Sequence, residues 1–252
     1  MSEPLITIAV PSFNQGKFLD DALTSIFQQK IPVEVFVMDG GSSDNSIDII
    51  HKWEKQLAGW RSCADEGQAA AINEGIARGK APYVCWLNSD DYFLPDGLMK
   101  LVDELKQYPS APAIYGKSWN MIDSSGKCYP VWVEPFNERR LALRCIISQP
   151  ATLIRRLAWD AIGGLDSTLH MSMDYDLWWR LYKLAGALHF LDNHIAVNRD
   201  NKDSKTNSYR RKHYQESISL VRKYYGTPPL KWWLFWPYAV WAKSLIHRLT
   251  NS

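Results

Sequence analysis

The sequence contains few cysteines and no long apolar run. Its four cysteines are widely spaced and none forms a CxxC pair, so we read them as reduced, structural thiols of a cytosolic protein. No stretch reaches the roughly 18 to 20 uninterrupted apolar residues that a membrane-spanning helix needs. Internal repeats are absent, and the six histidines have no paired spacing that suits zinc. The 252 residues, 46% of them hydrophobic, suffice for one compact unit with a C-terminal appendage.

The N-terminus and the charge distribution bear on location and partners. The first residues, MSEPLITIAV, lack the basic and long apolar regions of a secretion signal, so we expect the catalytic part to lie in the cytoplasm. Residues 199 to 252 contain eleven Lys and Arg but only three Asp and Glu, although the formal net charge of the chain is +2. We therefore expect an anionic partner for the C-terminal part. Nucleic acid is not among the partners we expect.

The first 107 residues alternate between apolar runs and helical patterns. The apolar runs predict four strands, at 5–10, 33–38, about 60–64 and 82–87. Helical patterns follow them, at 18–27, from about 44, at 68–78 and from Pro95, in the first turn, to about 107. This alternation predicts an α/β fold, with a Rossmann-like, mostly parallel sheet and helices on both faces.

Polar side chains follow each of the four predicted strands. They are Ser12 and Asn14, then Asp39, then Asp65 and Gln68, and finally Asn88 to Asp91. Because ligands of such sheets bind beyond the carboxyl ends of the strands, we expect these acids and amides to form one site.

The alternation of predicted strands and helices ends after residue 108. The segment AIYGKSWNMI, the turn-like DSSG at 123–126 and the segment KCYPVWV predict a hairpin. We therefore divide the chain into a Rossmann-like half at 1–107, a smaller α+β half of the same domain at 108–206, and a basic, Trp-rich helical tail at 207–252.

The run Asn88, Ser89, Asp90 and Asp91 ends a strand that is apolar and aromatic. Carboxylates are costly there unless a cation or hydrogen-bond donors satisfy them. Hard oxygen ligands favour Mg²⁺ or Mn²⁺ bridged to substrate phosphates. The alternative interpretation is a cap and turn before the next helix.

The segment DGGSSDNS at 39–46 is a weaker signal. Gly40 and Gly41 permit close approach of a ligand to the backbone, and Ser43 or Asp44 can cap the next helix. The segment is not a GxGxxG fingerprint, so we expect no dinucleotide cofactor.

Together these segments resemble the family 2 glycosyltransferases, which are inverting enzymes of the GT-A fold. The resemblance covers about residues 5–206. It is carried, in the family's order, by VPSFNQGKFLDDALTSI, VMDGGSSDNS, DEGQAAAINEGIARGKAPYVCWLNSDDYFLPDGL, SQPATLIRR, GGLD with DYDLWWRL, and NRDNKDSKT. It implies a nucleotide diphosphate sugar as donor and Mn²⁺ or Mg²⁺ as cofactor.

The resemblance also implies roles for donor-side residues. Those that would contact the nucleotide are Pro11, Ser12, Asn14, Asp39, Asp65, Gln68, Asn88 and Ser89. Asp90 matches the last acid of the family's DxD motif and would hold the metal. Asn88 replaces the first acid of that motif, and Gly40 replaces a second Asp that many relatives carry. The nucleotide is left open among UDP, dTDP and GDP, with a UDP-sugar favoured.

On the acceptor side, the resemblance implies that Asp174 is the general base that deprotonates the acceptor hydroxyl. Met173 stands where the family has a Glu. Asp176 is the second candidate for the base, and Gln149 matches a residue near the acceptor. The alternative interpretation is a helix with an acidic first turn, which the helix dipole favours.

The segment NRDNKDSKT at 198–206 is predicted to be a polar loop. By the same resemblance, Arg199, Ser204 and Lys205 lie near the donor diphosphate, where cations offset the charge of the leaving group. Asn201 occupies a position where the family often has His. A solvated basic loop is the alternative.

The tail has four tryptophans in ten residues, flanked by Lys231, Lys243 and Arg248. Its apolar centre is about half a membrane span, and Trp and Tyr prefer the headgroup region. We expect it to attach the protein to the inner face of the cytoplasmic membrane, through an anionic surface. The alternative is a helix packed on the core.

The processive QxxRW element is absent, so we expect single sugar additions to a glycan or lipid-linked acceptor in surface polysaccharide synthesis. Two alternatives are a sugar nucleotidyltransferase and a non-catalytic sugar-nucleotide-binding protein. The former carries a Gly-rich basic loop after its first strand, whereas this chain has PSFNQGKF.

Overall fold

The strands form one sheet in the computed structural model, which describes residues 3–200 and 209–242. Their bounds are β1 Ile6–Ser12, β2 Val33–Asp39, β3 Gly59–Ser62, β4 Tyr83–Trp86, β5 Tyr92–Phe93, β6 Ala113–Ile122, β7 Cys128–Pro130, β8 Thr152–Arg155 and β9 His189–Asp200. The order across the sheet is β3-β2-β1-β4-β8-β6-β9-β5, and β7 pairs with β6.

The first four strands confirm the predicted parallel arrangement. β1 pairs in parallel with β2 and with β4, and β2 pairs in parallel with β3. Their carboxyl ends therefore meet at one edge. The later strands are mixed: β8 runs antiparallel to β4 and β6, whereas β6 and β9 run parallel. β6 and β7 form the predicted hairpin.

Helices cover both faces of the sheet, as predicted. They are α1 Gly16–Phe27, α2 Ser46–Trp53, α3 Gln68–Arg78, α4 Gly97–Gln107, α5 Glu138–Leu143, α6 Arg156–Ala161, α7 Met173–Ala185, α8 Arg210–Tyr225 and α9 Lys231–Trp236. Side chains alternate along β1: Ile8 and Val10 join the core under α1, α2 and α4, while Ala9 joins the core under α3, α5 and α7.

Some predicted boundaries are wrong. Pro95 lies before α4, which begins at Gly97, because Asp96 has a left-handed backbone (φ 58°) that ends the preceding turn. α2 begins at Ser46, after Asn45, and neither Ser43 nor Asp44 is its N-cap.

The predicted loop at 198–206 is also corrected in part. Residues 198–200 belong to β9, because their backbones pair with Asn120, Met121 and Ile122 of β6. Ser204, Lys205 and Asn201 lie outside the described residues.

The described part of the tail packs partly on the core. Trp232 is buried, and its indole Nε1 donates to the Ala142 carbonyl at 2.7 Å. The Tyr214 ring contacts Trp232 and Trp236, with centroids 5.1 and 5.3 Å apart. The neighbouring Leu234 and Phe235 are exposed. In residues 3–200 and 209–242, no helix combines the length and apolar character needed to cross a bilayer.

Candidate active site

Asp39, at the end of β2, organises the loop that follows. Its Oδ1 accepts from the Ser42 hydroxyl at 2.6 Å, and its Oδ2 accepts from the Ser42 and Gly41 amides and from the Ser62 hydroxyl, at 2.7 to 3.0 Å. Burial alone would raise the pKa of Asp39, but these hydrogen bonds outweigh it and lower that pKa. Asp39 is thus an ionised group held in a fixed orientation.

The loop after β1 is tied to the loop after β2. Asn14 has a left-handed backbone (φ 52°). Its side-chain Oδ1 accepts the Ser43 amide at 2.8 Å, and its backbone amide donates to the Ser42 hydroxyl. Asp44 accepts the Gly16 amide at 2.9 Å. Two of the residues expected at the nucleotide, Asn14 and Asp39, therefore lie in one hydrogen-bonded unit.

Ser12 ends β1 beside this unit, next to Pro11. Its hydroxyl is buried and has no hydrogen-bond partner within residues 3–200 and 209–242, while its carbonyl accepts the Gly40 amide at 2.8 Å. A buried hydroxyl without a partner is costly. It therefore marks a position where a bound ligand could supply the missing hydrogen bond.

Asp65, after β3, is held by Arg61. The guanidinium donates to Asp65 Oδ2 at 3.1 Å, to Glu74 at 2.9 Å and to the Asp39 carbonyl at 2.6 Å. Asp65 also accepts the Gly67 amide, just before α3. Arg61, which sequence analysis did not single out, thus links the ends of β2 and β3 to α3.

A chain of amides connects α3, β4 and the turn before β8. Gln68 Nε2 donates to Asn88 Oδ1 at 2.8 Å, and Asn88 Nδ2 donates to Gln149 Oε1 at 3.3 Å and to Asp91 Oδ2 at 3.1 Å. Gln149 in turn donates to the Trp86 carbonyl. The structure thus joins Gln68 and Asn88, both expected at the nucleotide, to Gln149, which was expected near the acceptor. Ser89 is buried beside them.

Asp90 and Asp91 concentrate negative charge at the end of β4. Asp91 is buried, and burial together with the Asp90 charge raises its pKa well above the usual value. Its Oδ1 accepts the Arg199 amide of β9 at 3.0 Å. Asp91 therefore joins β4 to β9, a role that its place in the NSDD run did not reveal.

These carboxylates fit a divalent cation that is shared with a substrate. Among the described residues, no group of three or more His, Cys, Asp or Glu side chains could enclose a metal. Mg²⁺ and Mn²⁺ bound to substrate phosphates need only one or two carboxylates. A cation would also reduce the repulsion that raises the pKa of Asp91. The donor set therefore suits such an ion, and the assignment of Asp90 as its main protein ligand stays a prediction.

The Arg199 side chain contacts residues of α1, of β5 and of the turn after β6. It pairs with Asp21, lies 3.7 Å from Asp123, and stacks its guanidinium over Phe18 and Tyr92 at 5.1 and 5.4 Å from the ring centroids. Its Nε is buried and has no hydrogen-bond partner among the residues that the structure describes. Arg199 is thus fixed beside α1 and β5.

Asp174 lies in the first turn of α7. Burial raises its pKa, and a hydrogen bond from the Tyr175 amide at 2.8 Å offsets part of that shift. A cavity lined by Gln68 and Met173, among others, lies between the start of α3 and the start of α7. It therefore lies between one donor-side residue, Gln68, and the turn that carries Asp174.

Asp176 has a different environment. It is fully buried and both oxygens are bound: Oδ2 accepts Arg180 Nε at 2.6 Å and Oδ1 accepts the Tyr224 hydroxyl at 2.7 Å. Its contacts thus link α7 to α8 and occupy both carboxylate oxygens.

Glu216 of α8 holds the backbone that precedes α7. Its carboxylate accepts the Met171 and Ser172 amides at 2.9 and 3.0 Å. Those amides lie two or three residues before Asp174, so Glu216 fixes the start of the turn that carries it. Nothing in the sequence signals this contact, because the partners are about 45 residues apart.

Comparison with known proteins identifies the family. Residues 7–144, more than half of the chain, match the description "Glycosyl transferase family 2". The chain belongs to this family. Membership sets aside the sugar nucleotidyltransferase alternative and confirms the resemblance stated above. A chondroitin synthase of Escherichia coli is 24% identical over 243 residues, which cover 89% of this chain and 34% of that protein.

Solved structures confirm the GT-A fold for this family 2 chain. S. aureus TarS 1–349 in complex with UDP-GlcNAc matches with a TM-score of 0.71 and 17% identity, over 98% of this chain and 73% of that one. A Pyrobaculum calidifontis mannosyltransferase in complex with GDP-Man and Mn²⁺ matches with a TM-score of 0.68 and 15% identity, over 99% and 75%. The chain spans about a third of the length of several curated relatives that it matches, at 34%.

Proposed function

We propose that this chain is an inverting, metal-dependent glycosyltransferase that moves one sugar from a nucleotide diphosphate to a hydroxyl acceptor. One observation carries the proposal: acids and amides from β2, β3 and β4 converge at one edge, and a cavity joins that edge to the turn that carries Asp174. The proposed donor-binding residues and the proposed general base would thereby lie next to each other.

The donor side suits a nucleotide diphosphate. The hydrogen-bonded Asn14 and Asp39 unit, with the partnerless Ser12 hydroxyl, offers directional contacts to a base and ribose. Asp90 would hold a divalent cation, which would supply positive charge to the diphosphate as it leaves. Mn²⁺ is named in the mannosyltransferase complex and UDP-GlcNAc in the TarS complex, which supports these two ligand classes here. A UDP-sugar is the donor we favour.

In the proposed reaction, an Asp174 carboxylate oxygen takes the proton of the acceptor hydroxyl. The acceptor oxygen then bonds to the anomeric carbon while the bond from that carbon to the diphosphate oxygen breaks, and the electron pair leaves with the nucleoside diphosphate. Attack opposite the leaving group inverts the anomeric centre. The raised pKa of Asp174 makes it a stronger base than an exposed Asp once it is ionised.

The acceptor we propose is a glycan or lipid-linked saccharide. The similarity to a chondroitin synthase supports a saccharide, and the exposed aromatic residues of the tail support a membrane-bound one. The protein would then lie at the inner face of the cytoplasmic membrane.

A thermal-shift screen tests the proposal. UDP, GDP and dTDP are each added with and without Mn²⁺, and hydrolysis of the matching nucleotide sugars is followed. A ligand at about 100 times its Kd adds about 2.7 kcal/mol of stability, so we expect one nucleotide to raise Tm, and to raise it further with Mn²⁺. Binding without hydrolysis would favour a non-catalytic binding protein, and no shift with any nucleotide would refute the proposal.

Glu216→Ala should lower kcat for donor hydrolysis by about ten- to a hundredfold, because a small displacement of a reacting group can cost that much. The Tm shift caused by the nucleotide should be unchanged, since Glu216 is remote from the Asn14 and Asp39 unit. Glu216→Gln keeps one accepting oxygen and should recover part of the rate.

The control for Glu216 is Gln215→Ala, an exposed change on the same helix. An equal loss of kcat in both variants, or a loss of nucleotide binding with Glu216→Ala, would contradict a positioning role.

A further inference from the structure

Two segments that are distant in sequence form one exposed surface of cations and apolar groups. We call it the basic aromatic face and define it by Trp132, Arg144, Lys231, Leu234 and Phe235. The Arg144 guanidinium stacks over the Trp132 ring, 5.0 Å from its centroid, and Lys231 lies 5.8 Å from the centroid of the Phe235 ring.

The two segments are held together by the buried side of α9. Trp232 donates to the Ala142 carbonyl of α5 at 2.7 Å. The pKa of Lys231 is lowered by partial burial and by the nearby charges of Arg144 and Arg140. The first turn of α9 therefore lies beside the end of α5, and its cation adjoins the Arg144 and Trp132 pair.

The spacing along α9 separates a packed side from an exposed one. Trp232 and Trp236 contact Tyr214 of the core. Lys231, Leu234 and Phe235, at positions i, i+3 and i+4, share the other side. Leu234 is 76% exposed, Phe235 50% and Trp132 58%. Large apolar side chains grouped in this way indicate an interaction surface.

We propose that the basic aromatic face docks on an anionic lipid surface, with α9 lying along the headgroup layer. Its five residues include two cations and no acid. Glu134, which adjoins the face by accepting a hydrogen bond from the Trp132 indole, is paired with Arg140. Aromatic rings at the headgroup level beside cations that meet lipid phosphates are the pattern of an interfacial helix.

The position of the face connects it with the acceptor. The Tyr175 hydroxyl donates to the Leu141 carbonyl of α5, and Lys183 of α7 pairs with Glu138 of α5 at 2.8 Å. α5 therefore contacts both the tail that carries the face and the helix that carries Asp174. This inference rests on the proposed function in one respect: docking would present a lipid-linked acceptor to the Asp174 side of the cavity.

Sedimentation with vesicles tests the face in the full chain. The probes are phosphatidylcholine vesicles with and without phosphatidylglycerol. Lys231→Gln should lower binding to the anionic vesicles about fivefold, since one cation contributes about that factor near a charged surface. Leu234→Ser should lower it about tenfold. Trp132→Ser should also lower it several-fold, although Trp132 lies about 100 residues before α9.

The matched control is Leu157→Ser on α6, where Leu157 is 84% exposed; it should bind vesicles as the parent does. If only the α9 variants lose binding, a docking face that includes Trp132 is refuted. Binding that is absent, or equal on neutral and anionic vesicles, also refutes it and favours a protein partner. Donor hydrolysis without vesicles should be unchanged in every variant. If the parent protein itself does not hydrolyse the donor, that result counts against the proposed function but not against the docking face.

Discussion

Asp174→Asn should reduce kcat for turnover of the nucleotide sugar by about 10²- to 10⁴-fold, the usual contribution of a positioned general base. Asn has nearly the shape of Asp but cannot accept a proton. The Tm shift caused by nucleotide and Mn²⁺ should be preserved, because Asp174 forms none of the described hydrogen bonds of the Asn14 and Asp39 unit. Steady-state rates together with thermal shifts measure both quantities.

The pH dependence provides a second readout for Asp174. Burial raises its pKa above that of an ordinary Asp, so the base loses its negative charge at a higher pH as the solution is acidified. The acidic limb of the kcat profile should therefore lie above the pH expected for an exposed Asp, and it should disappear in the Asn variant. The same shift means that the folded state disfavours the ionised form at neutral pH. Protonation of Asp174 should therefore reduce activity without itself lowering Tm.

Asp176→Asn is the matched comparison, because Asp176 lies on the same turn. It removes a buried charge that Arg180 and Tyr224 require, so it should lower Tm clearly, as breaking a buried pair does. A large fall in kcat at unchanged Tm for Asp176→Asn, with a small fall for Asp174→Asn, would exchange the two roles.

Asp90→Ala should abolish the additional Tm shift that Mn²⁺ gives to the nucleotide, and it should reduce donor hydrolysis to background. Asp90 is the proposed protein ligand of the cation, and a metal site that relies on one or two carboxylates loses most of its charge with one of them. Titration of Mn²⁺ at a fixed nucleotide concentration measures the loss directly. The fold should be retained, because Asp91 provides the hydrogen bonds that link β4 to β9.

Two controls accompany the Asp90 experiment. Asp48→Ala removes an exposed acid from α2 and should leave the response to Mn²⁺ intact. Asp91→Asn should lower Tm instead, since the change alters the acceptor of the Arg199 amide. An Asp90→Ala protein that responds to Mn²⁺ as the parent does would show that the cation is held elsewhere.

The alternating first half could be predicted from the sequence because its signals are local. β1, β2 and β4 are apolar runs and α1 and α3 have apolar residues at helical spacing, so each element is evident from its own residues. The convergence of Asp39 and Asn88 follows from the parallel pairing of their strands. β9 gave no such signal, because HFLDNHIAVNRD mixes charged and apolar residues, and its pairing with β6 is not local.

The remainder of the site depends on tertiary contacts that no motif encodes. The family's motif indicated a metal ligand at Asp90. The hydrogen bond between the neighbouring Asp91 and the Arg199 amide of β9 could be found only from the structure, because the two residues are far apart in the sequence. Likewise Glu216 supports the Asp174 turn from a helix that begins after the last resembling segment. The roles of all the predicted site residues toward substrates and metal stay predictions, including that of Lys205, which lies outside the described residues.

The contact between Asp91 and the Arg199 amide spans 108 positions of the chain, and this has a consequence for how the protein matures. β1 to β4 and their helices join through short crossovers, so they can assemble early during synthesis. The end of β4 is completed only when β9 arrives to pair with β6 and β5. A nascent chain released before about residue 200 should thus hold much of the parallel sheet and yet leave the Asp91 carboxylate without its backbone donor. Catalytic competence would be acquired late, in a step that closes a loop of 108 positions.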